Sequence, residues 1–256
     1  MTMVKTLILR APGTNCDMET AFAFELAGSS VEFLHVNELV SNGNLLFSCG
    51  ILVIPGGFTY GDDISAGKIL ANELRLKLGE AIQKFVDEGR LILGICNGLQ
   101  VLLKAGMLPG GTDVNSRSLT IAGNDSGRFE CRWIHLRVNE AASCVFTRGI
   151  RNMYLPVAHG EGKVFAAAGV TEKLNVPVYY ADENGQPSGG YPHNPNGSAG
   201  NIAGICDDSG RVFGLMPHPE RFVRGTQHPR WTREAHGDRG DGLQVFTNAV
   251  EWAKKI

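Results

Sequence analysis

Short apolar runs alternate with amphipathic stretches along the first hundred residues. "TLILRA" (6–11), "VEFLHV" (31–36), "GILVIPGG" (50–57) and "RLILGI" (90–95) are strand-length and close on turn residues. Between them, "DMETAFAFELAG" (17–28), ended by Gly28, and "ANELRLKLGEAIQKFVDEG" (71–89) carry the three-to-four-residue apolar spacing of helices. Strand, helix, strand repeated in this way predicts a parallel sheet with helices on both faces. After residue 110 the rhythm changes. "RFECRWIHLRVN" (128–139) alternates as a half-exposed antiparallel strand would, "VPVYYADENGQP" (176–187) carries a Glu-Asn-Gly turn, and "AGICDDSGRVFGLMP" (203–217) fits a hairpin with Asp-Ser-Gly at its tip. The expected fold is therefore α/β: a mostly parallel sheet with helices on both faces, antiparallel strands added at its edge in the second half, and a closing helix over 241–255. No repeat or low-complexity linker divides the 256 residues, so residues 1–256 read as a single domain.

Charge narrows the function. The 24 Lys and Arg against 26 Asp and Glu leave a net charge of -2, with no basic stripe for nucleic acid and no polyacidic tail. The N-terminal "MTMVKTLILRAPG" is too short in its apolar part for a signal peptide or membrane span. The six cysteines (Cys16, Cys49, Cys96, Cys131, Cys144, Cys206) include no CxxC pair, which suggests reduced thiols in a cytosolic protein. "GDDISAGKI" (61–69) fails as a phosphate loop: it has one residue too many between the glycines, and Ile69 stands where Ser or Thr is required.

One cysteine has a chemical setting. In "LILGICNGLQVLL" (91–103) Cys96 sits where an apolar strand meets an amphipathic helix, flanked at two residues on each side by Gly94 and Gly98. A tight strand-to-helix turn pushes the side chain out of the sheet, and the helix N-terminus offers free N–H groups and partial positive charge to a thiolate. The glycines mark segments too close for side chains, and the N–H of Asn97 is placed to donate to an oxyanion. Most free cysteines are simply small buried hydrophobes; the paired glycines reverse that reading here.

A thiol nucleophile needs a base and the base an orienting group. His218, in "GLMPHPERF", follows an apolar strand; Pro219 should keep it extended, so that Glu220, two residues on, points the same way. "VIPGGFTYGDD" (53–63) adds a Pro-Gly-Gly run whose Gly57 or Phe58 N–H is a candidate second oxyanion donor on a loop expected to be flexible.

"GICNGLQ", "PGGFTYGD" and "PHPER" together resemble the class I (triad-type) glutamine amidotransferases. "APGTNCD" (11–17), "PVAHGEG" (156–162) and "NPNGSAGNIAGI" (194–205) narrow the resemblance to the glutaminase subunits of phosphoribosylformylglycinamidine synthase. The resemblance implies that Cys96 attacks the side-chain amide of L-glutamine, that His218 relays protons and that Glu220 orients it. Gly57 and Asn97 would supply oxyanion N–H groups, and Phe58, Gln100 and His159 would shape the glutamine pocket. It implies no cofactor or metal in this chain, ATP and Mg for an ATP-dependent formylglycinamidine ribonucleotide synthetase partner, and a small bridging subunit that often accompanies the pair.

The polar stretch "RFVRGTQHPRWTREAHGDRGDG" (221–242) is longer than the shortest stand-alone members need. Its His228, His236 and Asp238 fit no zinc spacing, so a solvated or interface loop is the better reading. Alternatives remain at this stage: the glutaminase of another ammonia-channelling synthetase, a γ-glutamyl hydrolase or cysteine peptidase with the same elbow, and a non-catalytic scaffold. Cys16, also at a helix start, is a rival nucleophile that lacks the flanking glycine on its helical side and is assigned to structure or substrate shaping.

Overall fold

A computed structural model describes residues 3–110, 119–187, 189–234 and 237–256. In chain order the elements are β1 (Lys5–Arg10), α1 (Asp17–Leu26), β2 (Ser30–His35), α2 (Val36–Ser41), β3 (Ile51–Ile54), α3 (Lys68–Asp87), β4 (Leu91–Ile95) and α4 (Asn97–Ala105). The second half adds β5 (Leu119–Ala122), β6 (Glu130–Val138), β7 (Asn152–His159), β8 (Lys163–Ala166), β9 (Asn175–Ala181), β10 (Ile202–Cys206), β11 (Val212–Leu215) and α5 (Leu243–Ala253).

Nine strands form one sheet in the order β2-β1-β3-β4-β11-β10-β9-β6-β7, and β5 pairs with β8 apart from it. The pairings from β2 through β4 to β11 are parallel; from β11 through β10, β9 and β6 to β7 they are antiparallel. The central strands are covered on both faces, so every residue of β3 and β4 is buried, as continuous apolar runs require. α1 meets α5 through Phe24 and Phe246, whose ring centroids are 5.0 Å apart, while α3 packs against α2 and α4. Right-handed crossovers running in opposite directions from β1 place these two groups on opposite faces. α3 buries Leu70, Leu74, Leu78, Ile82 and Phe85, a single stripe at helical spacing.

The α/β architecture agrees with the sequence expectation, and three details differ. The helix expected from residue 71 begins at Lys68, because Gly67 in the left-handed region starts it earlier. The hairpin of β10 and β11 does not lie at the sheet's edge: β11 inserts beside β4 in parallel, and the antiparallel wing hangs from it. β7, which "PVAHGEG" conceals behind its proline and glycines, is an eight-residue outer strand. No described helix is long and apolar enough to cross a membrane.

The result that matters for chemistry is convergence. β3, β4 and β11 run in register, with Ile54 opposite Gly94 and Leu215 opposite Ile95. Their carboxyl ends deliver the Pro-Gly-Gly loop, Cys96 and His218 to one crevice, where open α/β sheets place their ligands.

Glycine positions test this packing. A side chain at Gly98 would collide with the Ile54 carbonyl oxygen, whereas one at Gly79 on α3 meets nothing within 4 Å. Gly98→Ala is therefore expected to destabilise by roughly 3 kcal/mol, and Gly79→Ala to stabilise by roughly 0.5–1 kcal/mol. Denaturant midpoints of the two variants measure the contrast, and similar midpoints would contradict the packing described.

Candidate active site

Cys96 has φ 51 and ψ -102, a backbone conformation that L residues rarely adopt. Its N–H donates to the Leu215 carbonyl at 2.8 Å, closing the ladder of β4 with β11, and its carbonyl receives the Gln100 N–H at 3.2 Å, opening α4. One residue thus ends a strand and starts a helix, and the strain is held from both sides. A Cβ at Gly94 would stand 2.7 Å from the Gly98 backbone, and one at Gly98 would strike β3. This is the close approach the flanking glycines announce. Sγ lies 3.7 Å from the Ala158 carbonyl of β7, and Cys96 is 5% exposed.

His218 and Glu220 are almost wholly buried, and Nδ1 shares a 2.5 Å hydrogen bond with Oε1. The route differs from the extended segment read from sequence: residues Pro219–Arg221 form a 3₁₀ turn with Pro219 at its start. The turn folds Glu220 back against the imidazole. The His218 N–H donates to the Pro156 carbonyl of β7 at 2.9 Å, anchoring the residue from the opposite side. His218 Nε2 and Glu220 Oε2 are buried with no hydrogen-bond partner. Burial pushes the imidazole down, but the Glu220 carboxylate and the thiols of Cys96 and Cys16 beside the ring together outweigh it and hold His218 well above its ordinary value.

The Pro-Gly-Gly loop is tied rather than free. The Gly56 carbonyl accepts the N–H groups of Asn15 (3.4 Å) and Cys16 (3.1 Å), and the Phe58 N–H donates to Gly13 at 3.0 Å. Phe58 therefore spends its amide on Gly13, which leaves Gly57, at φ 148, as the loop residue with an N–H to offer. The Asn97 side chain fastens this loop to α4: Oδ1 accepts from the Thr59 hydroxyl at 2.7 Å, and Nδ2 donates to Asp62 at 3.3 Å and Gln100 at 2.8 Å.

The expected pocket residues divide. The Phe58 ring is at the rim, 6.4 Å from that of Phe129, with both rings partly exposed. Gln100 is buried, its Nε2 donating at 2.5 Å to the Glu161 carbonyl, so it holds the "HGEG" turn in place. His159 is also buried; Nδ1 meets Asn124 Oδ1 at 3.0 Å, and Asn124 Nδ2 donates back to the His159 carbonyl at 2.8 Å. Burial, with His218 nearby, pushes His159 down to about 4 and keeps it neutral. In the polar 221–242 segment, His228 is buried among Trp133, Tyr154 and Phe222. The Asp238 carbonyl accepts the Gly225 N–H, and His236 lies outside the described residues.

Sequence reasoning missed how close Cys16 comes. A donor atom each from Cys16, His218 and Glu220 lies within 4.8 Å of the others, and Arg221 Nη2 donates to Cys16 Sγ at 3.1 Å. No local motif signals this contact, because Cys16 arrives from the turn after β1.

The imidazole's titration follows from the pair. The Glu220 carboxylate stabilises the imidazolium, so Glu220→Gln leaves burial as the dominant influence. The His218 pKa is then expected to fall clearly below that of the wild-type protein. Ring-resonance NMR titration of wild type and variant reads this directly, and an unchanged pKa would contradict the electrostatics described.

The family model for the CobB/CobQ-like glutamine amidotransferase domain matches residues 3–253. A Dehalococcoides mccartyi protein, phosphoribosylformylglycinamidine synthase subunit PurQ, is 57% identical over the full length of both chains. The Methanococcus maripaludis protein of the same name is 40% identical, covering 98% of each. Among solved structures, a chain of PurLQS from Thermotoga maritima superposes with a TM-score of 0.74 at 29% identity, over 98% of this chain and 99% of that one.

Proposed function

The chain belongs to the CobB/CobQ-like glutamine amidotransferase domain family, and from that premise we propose that it is the glutaminase subunit of phosphoribosylformylglycinamidine synthase. It hydrolyses L-glutamine and supplies the ammonia to an ATP-dependent synthetase subunit, which makes formylglycinamidine ribonucleotide in purine biosynthesis. The observation that carries the reading is the strained elbow thiol of Cys96 beside the buried His218–Glu220 pair, in a chain 57% identical throughout to a protein of that name.

The steps follow from this reading. The Cys96 thiolate adds to the glutamine side-chain amide carbon, forming a C–S bond and placing negative charge on the carbonyl oxygen. The N–H groups of Gly57 and Asn97 receive that charge in a site already organised by the loop's own hydrogen bonds. The His218 imidazolium gives its Nε2 proton to the departing nitrogen, the C–N bond breaks, and ammonia leaves behind a γ-glutamyl thioester. Neutral His218 then takes a proton from water, which attacks the thioester and releases glutamate. Glu220 fixes the ring's orientation and stabilises its charged form throughout.

Phe58 closes the mouth over the substrate, and His159 and Gln100 act through the turn they hold rather than by direct charge. ATP and Mg belong to the synthetase, with a small bridging subunit completing the assembly in the cytoplasm. The hydrolase and scaffold alternatives lose ground because glutaminase relatives match the whole chain and the nucleophile, base and orienting carboxylate are all in place.

Three measurements test this. The glutamine analogue 6-diazo-5-oxo-norleucine is expected to label Cys96, and an adduct mapped to Cys16 would overturn the assignment. Cys96→Ala and His218→Ala are expected to lower glutamine turnover by roughly 10³-fold or more, and Glu220→Ala by less. In the reconstituted complex Cys96→Ala should abolish glutamine-dependent product while high ammonium at mildly alkaline pH still supports it. An assembled Cys96→Ala complex that fails with ammonia too would refute the division of labour.

A further inference from the structure

Among the described residues, one group of metal-ligating side chains brings its donor atoms within 4.8 Å of one another: Cys16, His218 and Glu220. Its thiol is not the nucleophile. Cys16 is 1% exposed and reaches the pair from the turn after β1. A Cβ added at Gly56 would stand 2.9 Å from His218 Cε1 and 3.0 Å from Cys16 Sγ, so the thiol and the ring edge are neighbours behind the Pro-Gly-Gly loop. Glu220 keeps Oε2 buried and without a hydrogen-bond partner. A buried carboxylate oxygen without a partner is uncommon in native interiors, and here it is an acceptor with room for a ligand.

We propose that Cys16, His218 and Glu220 form a regulatory metal site that captures a thiophilic divalent cation of the zinc class and thereby withdraws His218 from Cys96. The donor set is one sulfur, one imidazole nitrogen and one carboxylate oxygen. That set suits Zn²⁺ or Cd²⁺ and does not suit Mg²⁺ or Ca²⁺, which take oxygen ligands. Zinc bonds of about 2.0–2.3 Å put tetrahedral donors about 3–4 Å apart, so the metal takes the place of the 2.5 Å Nδ1–Oε1 hydrogen bond while Cys16, within 4.8 Å of both partners, closes in. On binding, the Cys16 thiol and the imidazolium lose protons to water and no electrons move. The thiolate and the carboxylate then neutralise the dication. Burial pushes the Cys16 thiol up, and the cation must supply the charge that draws off its proton; Arg221, donating to Cys16 Sγ at 3.1 Å, works in the same direction, and its own charge is met by Glu19 at 2.8 Å. A metal-held imidazole cannot relay protons, so occupancy silences the thiol and a chelator restores it.

The inhibitory consequence rests on the glutaminase reading; the binding site does not, and the experiment separates them. Chelator-treated Cys96→Ala protein is titrated with Cd²⁺, reading the ultraviolet thiolate-to-cadmium band, with Zn²⁺ as competitor and Mg²⁺ as control. One equivalent should bind, be displaced by Zn²⁺ and ignore Mg²⁺. Adding Cys16→Ser should weaken binding more than about 100-fold, beyond what loss of an outer-sphere partner costs. Glu220→Gln in the same background is a second variant that keeps the side-chain shape and should weaken binding too. Unchanged affinity in both variants would place the metal on other thiols and overturn the site. In the wild-type chain, Zn²⁺ should slow labelling of Cys96 by 6-diazo-5-oxo-norleucine, and a chelator should restore it. Undiminished labelling with the site filled would overturn the claim that the metal withdraws His218.

Discussion

An imidazole and a carboxylate share a 2.5 Å hydrogen bond where water does not reach, and the second half of the chain is arranged to keep them there. Breaking such a buried pair by removing one partner typically costs about 3–5 kcal/mol, because the other is left uncompensated. The scaffold must therefore hold both, and it does so from three directions. β11 carries His218 to the crevice alongside β4, β7 accepts its N–H, and the 3₁₀ turn returns Glu220 to the ring.

The polar segment after Arg221 belongs to the same device. The Gly242 N–H donates to the Phe222 carbonyl at 2.8 Å, and a side chain at Gly242 would collide with the Pro219 carbonyl oxygen. The Asp241 carboxylate accepts the Tyr154 N–H at 2.8 Å, covering part of the outer edge of β7. An uncovered edge strand would invite pairing with another chain. The segment that looked superfluous in sequence thus caps the sheet and braces the turn bearing Glu220.

What the sequence made legible was what local pattern encodes. Apolar runs ending in turn residues located the parallel strands, and Gly94 and Gly98 around Cys96 announced the elbow because the approach they permit is between neighbours in sequence. "PHPE" carried His218 and Glu220 together, although the turn that joins them is helical and the pattern suggested extension. The rest depends on tertiary contact. Nothing near residue 58 reveals that its amide goes to Gly13, and the glycines that suggested a mobile loop are instead the positions where it lies against Gly13, Asn15 and Cys16. β7 was hidden because Pro156 interrupts it and Gly160 follows its end, yet it supplies the carbonyls over both Cys96 and His218.

Cys16 shows why chemistry and packing cannot be read apart here. Its N–H holds Gly56, so it fixes the loop whose next residue, Gly57, is the proposed oxyanion donor. Its sulfur stands beside the acid–base pair and takes a hydrogen bond from Arg221, the residue that follows Glu220. One side chain thus touches the support of the oxyanion donor and the support of the proton relay. A perturbation at that point, whether substitution, alkylation or a captured cation, reaches both halves of the chemistry at once, while the elbow that carries Cys96 stays in place on its own ladder and helix.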